Sequence, residues 1–435
     1  MLIALFILST IPLPFCTSTI FNQFVNCISN TTSANLSQIL LTPNDTSYST
    51  ILQSSIQNLR FDTPTTPKPL AIITPLSYSH VQSTVICTVQ FGLNIRTRSG
   101  GHDYEGLSYT SLHNIPFIIL DLNQLRSISV DSKANTAWVE SGATLGELSY
   151  WVSKKNNLFG FPAGECTSVG VGGQISGGGF GMMARKYGLS ADNVIDARVV
   201  DVNGRILDRD SMGEDLFWAI RGGGGASFGV VVSWKINLVY VPPIVTVFSL
   251  SKTIEGGTQL INKWQHIAHN VTHDLFINLV ITPVQLTFNS LFLGTADDLV
   301  KTVGDEFPEL GLEKKDCIEM SWIESVVYHS VNLRGESIEA LVERRPMPKA
   351  YFKVKSDYVK KVIPEEALEE ILKWDLDLGT NCNAWGTSYG QGMRWGRRYF
   401  KGNFKRLAMV KGVVDPTNFF WNEQSIPPLV LSSSY

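Results

Sequence analysis

Three stretches of this chain hold so much glycine that they dictate where its backbone must bend. They are RSGGHDYEG (98–106), VGVGGQISGGGFG (169–181) and RGGGGASFG (221–229). Glycine reaches backbone conformations closed to other residues and lets a second backbone or a ligand approach closely. Crowded N–H groups in such turns also form concavities suited to anions. Tight turning alone explains any one of these loops but strains to explain three. A pyrophosphate-bearing cofactor is the natural ligand. Gly179-Phe-Gly-Met-Met-Ala184 matches the dinucleotide pattern GxGxxA, with Asp201 at a suitable distance. That match fails on context, because a glycine loop and not an apolar strand precedes it.

The 435 residues, 44% apolar, can bury a large core and suggest two domains. The net charge is −3 and the basic residues are scattered, which argues against nucleic acid as a partner. The start, MLIALFILSTIPLPFCTSTI, is too short an apolar run to span a bilayer and reads as a secretory signal over residues 1–18, although it lacks a basic start. Sequons at Asn30, Asn35, Asn44 and Asn270 point the same way, to a secreted, glycosylated protein. Without Cys16, five cysteines remain, an odd number. Cys27 and Cys87, in similar apolar contexts, are the chosen disulfide. Cys166, among glycines in AGECTSVG, reads as an accessible thiol or as an ordinary loop cysteine. His266, His269 and His273 share a helix face on paper, but the sequon inside that run favours a solvated surface over a metal site.

The pattern of elements is α+β. Expected helices include the stretch after Asn35 (with Ser33 as cap), SHVQSTVICTVQFG, LGELSYWVSKKN, GTQLINKWQHIAH and PEEALEEILKW. Expected strands include NIRTRS, FIILDL, a hairpin turning at Asn203-Gly204, VVVSWKINLVYV, TVFSLSK, FINLVITP, TFNSLFLG and YFKVKSDYV. Composition shifts after Pro242-Pro243, which places a first domain at 27–240, an antiparallel-sheet domain at 241–374, and a return to the first domain over 375–435.

RSGGHDYEGLSY, AGECTSVGVGGQISGGGFG, RKYGLSADNVIDARVVDVNG, DLFWAIRGGGGASFGVVVSWKI and YFKGNFKRLAMVKGVVDPTNFFWNEQSIPPL together resemble the plant berberine bridge enzyme-like family of secreted FAD-linked oxidases. The resemblance covers nearly the whole mature chain. It implies a PCMH-type FAD-binding domain of the vanillyl-alcohol oxidase superfold, a substrate domain, and a monomer acting on a small molecule with dioxygen as acceptor. It also implies FAD attached twice, at His102 and at Cys166. Ser99, Gly100, Gly101, Asp103, Tyr104, Glu105, Gly106 and Ser108 match the loop that wraps the cofactor. Gly170, Val171, Gly172, Gly173 and Gln174 match the stretch beside the flavin, with Gln174 where the family usually has His. Phe180, Ala226 and Val231 match further cofactor contacts, and Tyr187 matches a tyrosine facing the substrate pocket in some members. Val169 stands where the family gates dioxygen, and valine there implies oxidase behaviour.

The resemblance breaks after PEEALEEILKW. The helix runs directly into Asp375-Leu-Asp-Leu-Gly379, so several tens of residues that carry substrate-domain strands and the usual base are missing. Lys373 occupies the place of the family's tyrosine base and could serve only if desolvation lowered its pKa substantially, so Tyr187 is the catalytic candidate kept. An oxidase and a catalytically impaired flavin-binding relic are therefore both open at this point.

Overall fold

A computed structural model describes residues 14–32, 35–111, 115–345, 347–356, 359–373 and 388–429. The first sheet comprises β1 (Leu40–Leu41), β2 (Ile72–Ile73), β3 (Asn94–Arg98) and β4 (Phe117–Asp121), in the order β1-β2-β4-β3. Both β2 and β3 run parallel to β4, which is buried along its whole length. An all-apolar run such as Phe-Ile-Ile-Leu suits a strand covered on both faces. The crossover between β2 and β3 is the helix Tyr78–Phe91, which ends on Gly92 at φ 62°, the left-handed position that favours glycine. The helix Pro14–Thr31 packs against it, and the expected disulfide Cys27–Cys87 joins the two, with Cα atoms 5.8 Å apart.

The second sheet is antiparallel. It is built from β5 (Ile128–Asp131), β6 (Thr136–Glu140), β8 (Val194–Val200), β9 (Ile206–Leu207) and β10 (Val230–Asn237), in the order β5-β6-β10-β8-β9. Two short strands, β7 (Phe159–Gly160) and β11 (Val239–Tyr240), pair beside it. The hairpin between β8 and β9 turns through Gly204 at φ 72°, as its Asn-Gly signal requires. Trp234 is fully buried in the core that this sheet shares with the helix Phe404–Val414. The third sheet, β12 (Val245–Thr253), β13 (Leu275–Ile281), β14 (Gln285–Phe292) and β15 (Ile318–Met320), is antiparallel in the order β13-β14-β12-β15. The helices Gly257–Ile267, Ala296–Glu306 and Glu365–Lys373 contribute to the core on one of its faces.

Three local expectations are corrected. Residues 36–38 form only a 3₁₀ turn, capped by the Asn35 side chain, because Leu40–Leu41 leave it to pair with β2; Ser33 lies outside the described residues. The stretch 351–356 is not a strand: among the described residues no ladder reaches it, and an extended segment without a neighbour leaves its N–H and C=O groups to water. Tyr351 and Val359 are exposed accordingly. The helix carrying His266 ends at Ile267, so His269 and His273 lie beyond it and share no helix face with His266. The DLDLG motif lies outside the described residues.

The C-terminal helix is fastened from inside. Lys411 is fully buried, and its ammonium donates to Asp415, to the Ser227 carbonyl at 2.6 Å and to the Phe420 carbonyl at 2.9 Å. Burial depresses its pKa, and Asp415 opposes that shift. Asp415 in turn accepts from the backbone N–H groups of Phe419 and Phe420. Removing one partner of such a pair strands a buried charge. Lys411→Ala is expected to lower stability by about 3–5 kcal/mol, read as a shift in chemical unfolding midpoint. Replacing Lys411 and Asp415 together by Met and Leu should recover part of the loss.

Candidate functional site

The site begins where β3 ends. Arg98 is fully buried and its guanidinium clamps Asp121 at the end of β4, Nη2 to Oδ2 at 2.6 Å, while it also donates to the carbonyls of Ile51 and Leu52. Held there, the chain leaves the sheet through Ser99, whose hydroxyl donates to the Ser141 carbonyl at 2.5 Å. At Gly100 it meets the second glycine loop backbone to backbone. A Cβ on Gly100 would lie 2.3 Å from the Gly170 nitrogen, and one on Gly170 would lie 2.0 Å from Ser99 Oγ. No side chain fits on either residue.

This contact sets His102 against the second loop. Its Nε2 lies 3.1 Å from Ser168 Oγ. Burial lowers the imidazole pKa to about 4, partly offset by a bond to the Ser168 backbone, so the ring is neutral at physiological pH. The loop then closes on itself: Asp103 Oδ1 accepts from the N–H groups of Glu105 and Leu107, each at 2.9 Å. A strap from residues 350–353 covers it. Asn58 Nδ2 donates to the carbonyls of both Tyr104 and Phe352, Tyr104 meets Phe352 edge to face, and Lys353 pairs with Glu105.

The second loop hangs on a helix start. The first N–H groups of the helix Leu145–Lys155 have no partner inside it. Leu145 N–H donates to the Val169 carbonyl and Gly146 N–H to the Thr167 carbonyl, each at 2.9 Å. Thr144 and Glu147 complete a capping box there. Cys166 sits at the head of this loop, open to the cleft. The protein around it, and then Glu165, push its thiol up, away from the thiolate. The third loop closes the wall, with Gly224 at φ 86° and its N–H on the Ser176 carbonyl at 2.9 Å.

Together the loops enclose a cleft of about 890 Å³, near the top of the range for ligand pockets. Of the residues singled out from the sequence, Ser99, Gly100, Gly101, His102, Asp103, Tyr104 and Ser108 line it, as do Cys166, Val169, Gly170, Gly172, Gly173, Gln174, Phe180, Ala226 and Val231. Four stand elsewhere. Val171 is fully buried in the core, Glu105 is drawn to Lys353, and Gly106 packs on Phe61 and Tyr109. Tyr187 turns its hydroxyl to the Tyr240 carbonyl, outside the cleft wall. The structure also adds residues the motif reading passed over: Ser141, Phe420, Trp421, Asn422 and Gln424. The last four come from FFWNEQS, held by Arg96, which donates to both Glu423 oxygens at 3.1 and 3.0 Å and lies over the Trp421 ring.

The residues present fit a large cofactor. Gly173 lies within the helix Val171–Ser176 and lines the cleft, yet a Cβ there would meet nothing within 4 Å and its φ is not positive. Inside a helix glycine is about 1 kcal/mol less favourable than alanine. Nothing in the protein itself demands glycine at this place, whereas a ligand lying against it does. Ser108 Oγ and Gln174 Nε2 in the same wall are buried without a protein partner, donors left for such a ligand.

Comparison with known proteins agrees with this geometry. A family model described as FAD binding domain matches residues 69–209, and one described as berberine and berberine like matches residues 374–427. The chain is 47% identical to O-acetylstemmadenine oxidase of Catharanthus roseus, with 94% of each chain covered. It is 46% identical to tetrahydroberberine oxidase of Berberis wilsoniae, covering 89% of this chain and 90% of that one. Among solved structures, Phl p 4, a grass pollen allergen with glucose dehydrogenase activity, superposes with a TM-score of 0.88 at 39% identity, covering 94% of this chain and 100% of the allergen. Wild-type Phl p 4 is a glucose dehydrogenase, and an isoleucine-to-valine variant of it is a glucose oxidase. The fold and cleft are those of an FAD-binding oxidoreductase. The chain belongs to the berberine bridge enzyme-like family. The alignment to the Catharanthus enzyme runs over 501 positions, more than the 435 residues here, so that relative holds internal residues this chain lacks.

Gly173→Leu is expected to fold with an unchanged unfolding midpoint in the absence of cofactor and to retain at least about tenfold less flavin after gel filtration, the equivalent of about 1.4 kcal/mol of lost affinity. Gly100→Ala, by contrast, should compromise folding itself.

Proposed function

We propose that this protein is a secreted, monomeric oxidase that passes a hydride from a small organic substrate to FAD held covalently at His102 and Cys166, with dioxygen reduced to hydrogen peroxide. The observation that carries this reading is the placement of both residues on one cleft, on loops locked together at Gly100 and Gly170. Bound there, FAD supplies the hydride acceptor, and two attachments raise its potential and hold it in register. A neutral His102 offers a ring nitrogen for attachment. Cys166 has the access that a second bond needs. The arrested backbone of the glycine loops orients the cofactor, and the strap 350–353 ties down the histidine loop through Asn58, Phe352 and Lys353.

Val169 supports the oxidase reading. In Phl p 4 the oxidase-forming valine lies five positions before a second site that has been changed from asparagine to histidine. Val169 and Gln174 stand at the same spacing on the cleft wall. We take the small organic substrate to be an alkaloid, a cannabinoid precursor, a monolignol or a sugar, a reading that the names of the relatives support. Secretion rests on the signal-like start, and Asn30, Asn35, Asn44 and Asn270 are all exposed, as glycan acceptors must be.

The attachment is tested by acid precipitation. His102→Ala and Cys166→Ala should each retain flavin in the pellet, and the double variant should release it all; acid-stable flavin in the double variant overturns the assignment. The missing base gives a second expectation. Tyr187 is engaged with Tyr240 outside the cleft, and we read the internal residues that this chain lacks as the segment carrying the family's base. General acid–base catalysis contributes about 10²–10⁴-fold. Stopped-flow reduction by a monolignol, a sugar or a cannabinoid precursor should be slower by that order than in full-length relatives, while dithionite-reduced enzyme reoxidises readily in air. Reduction at ordinary oxidase rates would show that another group has taken over as base; absence of any reduction would favour a flavin-binding relic.

A further inference from the structure

Among the described residues, the side chain that meets the His102 ring at hydrogen-bond distance is Ser168, whose Oγ lies 3.1 Å from Nε2. Ser168 sits two residues after Cys166 in a loop that cannot drift. Thr167 Oγ1 meets Ser330 Oγ at 3.0 Å in the buried interior, Val169 N–H donates to the Cys166 carbonyl at 3.0 Å, and the helix start at Leu145 holds the loop's carbonyls. On the other side His102 is fixed by the Gly100–Gly170 contact. The pair therefore has a geometry imposed from both flanks, with His102 lining the cleft.

We propose that Ser168 is a positioning residue for flavin attachment: its oxygen accepts the Nε2–H of His102, holding the tautomer whose Nδ1 lone pair is free to bond the cofactor. This rests on the reading of His102 as an attachment point. A neutral imidazole carries one N–H, and whichever nitrogen it occupies cannot act as nucleophile. As Nδ1 forms its bond to the methyl carbon of the isoalloxazine, positive charge develops on the ring, and an acceptor already placed at Nε2 stabilises it. One methyl C–H bond breaks, and its proton and the Nε2 proton are released. The two electrons pass to the isoalloxazine and are then removed by dioxygen, which becomes hydrogen peroxide. Burial keeps the ring neutral before the step, so the tautomer decides reactivity.

The test isolates this attachment in a Cys166→Ala background, where all acid-stable flavin must come from His102. Apoprotein is incubated with FAD in air, and acid-precipitable flavin is followed with time. Adding Ser168→Ala should slow attachment about tenfold or more, as expected for losing a hydrogen bond to a charge-bearing group. Non-covalent FAD retention on gel filtration and the unfolding midpoint should not change. Ser168→Thr, which restores the hydroxyl, should restore the rate, and peptide mapping of the parent should find the linkage on Nδ1. Unaltered kinetics in Ser168→Ala, failure of Thr to rescue in a folded, FAD-retaining protein, or a linkage on Nε2 would each overturn the proposal. No acid-stable flavin in Cys166→Ala alone would instead overturn the parent reading of His102, so the two failures are distinguishable.

Discussion

The contact between Gly100 and Gly170 is the constraint on which the cleft depends. Two backbones pass so closely that neither residue can carry a Cβ, and the contact fixes the loop after β3 against the loop before the helix Val171–Ser176. His102 follows one of these glycines by two residues and Cys166 precedes the other by four. Short lengths of chain from a fixed point leave little freedom, so both side chains are delivered to the same wall. Backbone packing is the economical way to achieve this, because main-chain atoms have no rotamers to order.

Three buried ion pairs stand in the first domain: Arg98 with Asp121 across two paired strands, Arg96 with Glu423 across most of the chain, and Lys411 with Asp415 four residues apart at the end of one helix. A buried pair is poor evidence for stability, since desolvation opposes its attraction. Their placement is the informative feature. Arg98 fixes the end of the strand from which the histidine loop departs, Arg96 holds the FFWNEQS segment to the cleft, and Lys411 ties the last helix to the third glycine loop through Ser227. Each pair is surrounded by carbonyl or N–H partners, so its charges are satisfied only when these segments are in place. The cleft wall and the return of the chain to the first core are thereby coupled.

The third sheet shows the opposite condition. Its edge strand β13 ends in the exposed Val280 and Ile281, and segment 351–356 pairs with no strand among the described residues. The relatives' additional internal residues fall in a chain whose sheet here stops at four strands. The first domain, by contrast, keeps its two sheets and its glycine loops intact. The residues that shape the cofactor cleft pack against the first core and the C-terminal return.

Much was legible in the sequence because its signals are local. Glycine density marked the loops, Asn203-Gly204 marked a hairpin, the runs FIILDL and VVVSWKINLVYV marked β4 and β10, similar apolar contexts marked the Cys27–Cys87 bridge, and the motif order carried the family and sixteen of the residues that line the cleft. What failed depended on neighbours. A strand pattern at 351–356 needs a partner strand, and a tyrosine in the right motif needs its hydroxyl turned toward the cleft; Tyr187 turns to Tyr240 instead. The contributions of Trp421 and Gln424 were invisible because Arg96, 325 residues from Trp421, brings their segment to the wall. The sequence by itself determined which cofactor chemistry this chain carries, since that lies in short motifs whose backbone geometry glycine dictates. The tertiary structure alone decided which side chains face the cleft, because that follows from packing and buried charge between segments that only folding brings together.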